Sequence, residues 1–346
     1  MVERFSSPSQ KDAKGISKWI PQVEEWFSPL VSGPGLRAVF RKELADHFNS
    51  RRFLILATIV AVTGLAAIYV AAVNIRQEVR ETAESGFVFL RLFTASGGSL
   101  PPFTSFMGFL GPLVGLALGF DAINGERVRG TLSRLVAQPI HRDSIINGKF
   151  LASICIIALM IFALGFIVAG LGLRLIGIPP TGEEVLRILA YLGLSVVYVA
   201  FWLALSLLFS VVFRQTATSA LAAIATWLFV VIFVGLLAGL IADAVVPVGS
   251  DAGAEELLRH ERLHQALGRL SPTILYDEAT TVLLQPQVRT LGPVLLSQIE
   301  WAVPGPLPFG QSLLLIWPHL TGLVAATLVC FAASYVLFMR HEIRAS

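Results

Sequence analysis

The chain has 346 residues, of which 55% are hydrophobic and 14% charged, where ordinary soluble domains carry about a quarter charged. A mean hydropathy of +0.73 and long unbroken apolar runs exclude a single soluble core, two cysteines exclude a disulfide scaffold, and a net charge of +3 is too small to argue for nucleic acid. The class left is a polytopic, all-α integral membrane protein.

Residues 1–35 carry no clear periodicity and read as a loosely ordered cytoplasmic tail. No cleavable signal peptide is expected, because the first apolar run is too long for one. Leu36, Val39, Phe40, Leu44, His47 and Phe48 then recur at three- and four-residue steps, with Arg37, Arg41, Lys42 and Glu43 between them. That spacing predicts an amphipathic helix at the cytoplasmic interface, its basic residues reaching the headgroups. On the residues alone, a plain anchor for the first span explains it at least as well.

A membrane helix needs about 20 apolar residues to cross a hydrocarbon core of about 30 Å. Six stretches qualify: Phe53–Val73, Phe103–Phe120, Phe150–Leu173, Ile188–Val212, Ala220–Ala242 and Leu313–Phe338. With the N-terminus inside, the cytoplasmic segments hold 17 Lys and Arg and the outer segments 9. Arg41, Lys42, Arg51, Arg52, Arg127, Arg129 and Arg134 crowd the inner membrane ends, so the positive-inside rule predicts that both termini are cytoplasmic.

Within the spans, Pro112 predicts a kink in the second. Gly111, Gly115 and Gly119 share one face of that helix, and Gly235 and Gly239 share one face of the fifth. Such faces allow close helix approach, either as ordinary packing or as a seam beside a cavity or a subunit interface. Cys155 and Cys330 lie in spans and read as small hydrophobes. Ionisable groups are almost absent: only His319, expected to bond to a neighbouring helix, with Asp121 and Arg187 at rims. A proton relay or polar ion path would need more, so energy for transport has to come from elsewhere. No G-x-x-x-x-G-K-[ST] phosphate loop occurs, since the Gly148-Lys149 pair has Asp143 where the first Gly is needed. The chain is therefore read as a non-enzyme, with any ATP hydrolysis in a partner.

Residues 243–312 form a long outer loop, polar at first and then Pro-rich. The apolar spacing of Leu257, Leu258, Leu263, Ala266, Leu267 and Leu270 predicts an amphipathic helix lying over the bundle. Within it, His260-Glu261-Arg262-Leu263-His264 matches H-E-x-x-H, which on a helix can grip zinc and activate water. This motif supports an alternative, a membrane-bound zinc metallopeptidase. Against it, Leu267 and Leu270 stand where the extended motif needs Gly and a third His, and Asp277 or Glu278 would have to serve as third ligand. A plain surface helix is preferred, with no metal expected.

The most specific segment joins the second and third spans, Phe120 to Phe150. It leaves the bilayer, makes a short charged helix, turns at Pro139 and re-enters after Lys149. Leu132 and Leu135 offer an apolar edge, and Glu126, Arg127, Arg129 and Arg134 offer charged handles of the kind that seat in a partner's groove. Its pattern, Asp121, Ile123, Glu126, Arg127, Gly130, Thr131 and Leu132, then Pro139, Arg142 and Gly148-Lys149-Phe150, resembles the permease subunits of ABC-2-type transporters, near the NosY-like branch. Arg41–Leu44, Leu270–Tyr276 and Phe338–Arg344 are similar to the same family, so the resemblance covers residues 36–346.

The resemblance implies a six-span permease domain over 36–346, with an N-terminal amphipathic connecting helix and a cytoplasmic coupling helix. It implies an exporter in the cytoplasmic membrane of a bacterium or archaeon, paired with a second permease copy or homologue and with two copies of an ATPase subunit that carries ATP and Mg. Membrane lipid is the other expected partner. Glu126, Arg127, Gly130, Thr131, Leu132 and Arg134 are the expected coupling residues. In that role Glu126 is expected to pair with a basic residue of the ATPase, and Gly130 to let the partner backbone approach.

Overall fold

A computed structural model describes residues 33–81, 87–95, 101–132, 138, 140–248, 253–292 and 305–340. Nearly all of the predicted tail, 1–32, lies outside the described residues, and the first helix begins just before the expected boundary. Eleven helices and no strand occur among the described residues: α1 (Pro34–Phe48), α2 (Arg51–Glu81), α3 (Val88–Thr94), α4 (Phe103–Gly119), α5 (Asn124–Val128), α6 (Arg142–Ile176), α7 (Gly182–Val212), α8 (Thr216–Val245), α9 (Ala254–Gly268), α10 (Pro272–Leu284) and α11 (Phe309–Arg340).

Six helical stretches are long and apolar enough to cross a membrane: Arg51–Ile75, Phe103–Val128, Arg142–Ile176, Gly182–Val212, Thr216–Val245 and Phe309–Arg340. Each contains the core of one predicted span and most run further, because intrahelical hydrogen bonding continues past the apolar stretch into polar ends such as Arg142–Lys149. α4 continues through Pro112 to Gly119.

α7 is the central span and the most buried, packed by α4, α6, α8, α10 and α11. The glycine face of α4 is what lets α7 so close. A Cβ at Gly115 would lie 2.6 Å from the Val199 carbonyl oxygen, and one at Gly119 2.9 Å from that of Leu203. That face is therefore packing within one chain, secured by Ser206 Oγ, which donates to the Leu116 carbonyl at 2.8 Å. The Gly235 and Gly239 face of α8 has nothing within 4 Å, and α8 is the least buried span. Its exposed leucines, valines and phenylalanines suit hydrocarbon contact.

The loop 243–312 differs from expectation. α9 forms where an amphipathic helix was predicted and packs on α8. A second helix, α10, is largely buried. It is wedged among α4, α7 and α11, with Tyr276, Ala279, Val282 and Leu283 fully buried. Pro272 starts it at a position where the missing N–H costs nothing. Tyr276 stacks on Tyr198 with ring centroids 4.2 Å apart, and its hydroxyl lies 2.9 Å from Ser195 Oγ. The helix is apolar on several sides rather than along one stripe, which is the pattern of a buried helix. Arg187, expected at a rim, is likewise fully buried. It donates to Ser312 Oγ, Glu183 and the carbonyls of Leu283 and Leu307, tying α7 to the returning chain.

Candidate functional site

One end of the bundle gathers α1, the start of α2, the α4–α5 junction and the start of α6. Lys149 opens the apolar part of α6, and its Nζ donates to Glu43 Oε1 of α1 at 2.8 Å and to Glu126 Oε1 of α5 at 2.9 Å. Lys42 Nζ donates to the same two oxygens at 2.9 and 3.3 Å and lies 3.3 Å from Asp46. Lys149, Glu126 and Glu43 side chains are 4%, 7% and 10% exposed, so this is a buried network with a half-exposed lysine at its edge.

Gly148 explains how α1 reaches it. A Cβ there would stand 2.7 Å from Val39 Cγ1, so only glycine lets α1 lie across the start of α6 at this distance. Two carboxylates and two ammonium groups balance, as burial of charge requires. Burial by itself would lift the Glu43 carboxyl, but Lys149 and then Lys42 outweigh it and hold the group below the ordinary carboxylate range. Desolvation would lower Lys42, yet Glu43, Glu126 and Asp46 outweigh that and raise it. His47, one turn on and 3.2 Å from Ser153 Oγ, is pushed below its ordinary value chiefly by burial.

The segment carrying Glu126 is fixed from the other side as well. The Ile123 and Asn124 N–H groups donate to Ser210 Oγ at 2.9 and 3.2 Å, and Arg52 bonds Asp121 at 2.5 Å. A cleft of about 620 Å³ opens among these groups, walled by Lys42, Glu43, Arg52, Asp121, Glu126 and Lys149. The second oxygen of Glu126 is buried without a partner.

The predicted coupling residues divide. Glu126 points inward onto Lys149, so its charge is spent within the chain and does not stand free for a partner. Leu132 is also buried rather than offering an edge. Arg127 is half-buried, and Val128, Arg129, Gly130 and Thr131 are exposed; Val128, at 66% exposed, is the apolar tip that Leu132 was expected to be. Gly130 takes φ +67° with nothing within 4 Å of a built Cβ, so glycine serves the left-handed turn rather than a close approach. Arg134 and Leu135 lie outside the described residues. Sequence reading missed Glu43, Lys42 and Lys149 as a unit. The only signals were an amphipathic stretch and a Gly-Lys pair far apart in the chain.

The outer motif does not assemble. His260 Nε2 donates to Asp243 at 2.9 Å, and His264 Nδ1 stands 3.9 Å from Glu261. Glu278, a candidate third ligand, instead accepts from Arg269 at 2.8 Å and from His319 Nε2 at 2.6 Å. Among the described residues no three His, Cys, Asp or Glu are grouped to hold a metal. His319 does bond to a neighbouring helix, the inserted α10.

The family model described as ABC-2 family transporter protein matches residues 37–343. A probable ABC transporter permease protein NosY of Pseudomonas aeruginosa is 30% identical over 206 residues, 59% of this chain and 69% of that protein. The protein of the same description from Stutzerimonas stutzeri is 33% identical over 138 residues, 40% of this chain and 45% of that protein.

Proposed function

The chain belongs to the ABC-2 family of transporter proteins as a membrane permease subunit, and from that premise we propose that a separate ATPase drives it as an exporter in the cytoplasmic membrane. The observation that carries the reading is the Glu43–Lys149–Glu126 network, which joins the segment between the second and third spans to both α1 and α6. Two ATPase copies, each with ATP and Mg, would pair with two permeases, this chain and a copy or homologue of it.

The exposed lip, Val128 to Thr131, is the docking edge. Val128 fills an apolar pocket of the ATPase, and Arg129 supplies charge at its rim. Glu126 sits two residues before Val128 on the same short helix and is locked to Lys149, so a push on the lip moves α1 and the third span together. ATP binding in the partner favours one arrangement of the spans and release the other, a population shift driven by differential affinity. Within these 346 residues there is no phosphate loop, which is why hydrolysis is assigned to the partner. The basic residues of this end, Arg41, Lys42, Arg51, Arg52 and Arg127 among them, support its placement in the cytoplasm.

The test is co-purification of the full-length chain with ABC ATPase subunits of the same organism, followed by ATPase assay in reconstituted vesicles. Stimulation by wild-type permease supports the reading. A chain that co-purifies with no ATPase and stimulates none overturns it.

A further inference from the structure

At the opposite end of the bundle a second cleft, of about 330 Å³, opens between α4, α8 and the inserted α10. Its wall is oxygen-rich, with Thr104 and Ser105 from α4 and Thr273, Thr280 and Asp277 from α10. Among the described residues, Asp277 is the only charged group lining it. Among the described residues no ion pair or side-chain hydrogen bond neutralises that carboxylate, in contrast to its neighbour Glu278, which holds both Arg269 and His319. Thr280 is 4% exposed; its hydroxyl lies beside Tyr276 without closing a well-formed hydrogen bond.

Depth makes this arrangement unusual. The residue before Asp277 stacks on Tyr198, which is midway along the central span. On α4 the carboxylate lies against Gly108, whose built Cβ would be 3.4 Å from Asp277 Oδ1. The group therefore sits between the outer third and the middle of the bundle, and it opens to the cleft rather than into the core. A carboxylate at that level is costly unless it is hydrated or given a counter-charge. Among the described residues no basic side chain lines the cleft, so a ligand of positive charge is favoured and an anion is repelled.

Size and wall chemistry narrow the ligand. At about 30 Å³ per water, the cleft is far larger than one stripped metal ion needs, and it fits a small organic headgroup. Phe109 forms an apolar aromatic wall, edge-on to Trp227 at 5.1 Å, and aromatic faces favour cations. We propose that this cleft binds the ammonium group of an amphiphile, with Asp277 as counter-charge and the hydroxyls of Thr104, Ser105 and Thr273 as hydrogen-bond acceptors. The ammonium could come from a phospholipid headgroup or from a single-chain amine; the chemistry recognised is the same.

The experiment is native mass spectrometry on the full-length chain in a neutral maltoside detergent, without nucleotide, so that it stands apart from transport. The probes are phosphatidylethanolamine, dodecylamine and, as anionic control, phosphatidylglycerol. Wild type should retain an ammonium probe, and Asp277→Asn should weaken that binding about tenfold, as for loss of one charge-assisted contact. Asp277→Glu should keep it, and phosphatidylglycerol should be unaffected. Retention of phosphatidylethanolamine assigns the site to lipid, and retention of dodecylamine alone assigns it to a single-chain amphiphile. Should Asp277→Asn fail to fold, Thr104→Val on the facing helix gives the same reading with a smaller loss. Equal ammonium binding in wild type and in the folded variant overturns the proposal.

Discussion

The carboxylates of Glu43 and Glu126, on separate segments of the chain, rest on one ammonium, that of Lys149, at 2.8 and 2.9 Å. The N-terminal helix α1 and the segment between the second and third spans thereby share a single buried charge. Removing Lys149 leaves two buried carboxylates with only the half-exposed Lys42, whereas removing Glu126 leaves Lys149 paired with Glu43, and this asymmetry sets the first expectation.

Lys149→Met should destabilise the chain by about 3–5 kcal/mol, the usual cost of stranding buried charge. Glu126→Gln should cost less, because Lys149 keeps Glu43. Thermal unfolding of purified full-length variants in detergent checks both. Equal midpoints for wild type and Lys149→Met would show that the network does not hold this end together.

Val128 and Arg129 are exposed and outside the network, so changing them should leave stability alone. Val128→Asp and Arg129→Glu are expected to reach the membrane at wild-type levels and to weaken ATPase association by about tenfold or more, as loss of a well-packed contact does. Pull-down and ATPase stimulation in vesicles measure this. Wild-type stimulation by both variants would remove the lip from the docking edge.

Acid should loosen the same end. Glu43 and His47 are both held below their ordinary values, so at these two groups the folded chain binds fewer protons than the unfolded one. Stability is then present above the ordinary values and is lost as pH falls through the lowered ones. The His47 share declines first, below 6.5, and the Glu43 share below 4.5. Unfolding midpoints should fall between about pH 8 and about pH 5, with a shallower slope in His47→Gln. A midpoint that rises on acidification would contradict this.

Glu256 is exposed on α9, on the loop assigned outside. In a background lacking Cys155 and Cys330, Glu256→Cys should react with an impermeant thiol reagent in intact cells. Reaction only after lysis would invert the topology.

His260 is already bonded to Asp243. Glu261→Gln and His264→Ala should therefore leave both zinc content and transport unchanged, measured by elemental analysis of purified protein. Loss of bound zinc together with activity would restore the metallopeptidase reading.

The spans were legible in the sequence because crossing hydrocarbon is a local demand: about 20 apolar residues in a row meet it whatever their neighbours do. The family-like pattern from Asp121 to Phe150 was legible for a related reason, as its turn, charges and spacing lie on one continuous stretch. Pairings between distant segments carry no such local mark. Nothing in the spacing of Glu43 says that it meets Lys149, and Glu126 reads equally well as a handle for a partner until Lys149 is seen beside it. The two glycine faces make the same point: Gly111, Gly115 and Gly119 look like Gly235 and Gly239 in the sequence. Only the tertiary structure seats the first set on α7 and leaves the second open. α10 was missed because a short helix with apolar residues on several sides shows no stripe, and only its neighbours α4, α7 and α11 decide that it is buried. Hydrophobic length is a property of the chain, whereas the partner of a charge or of a glycine face is settled by packing.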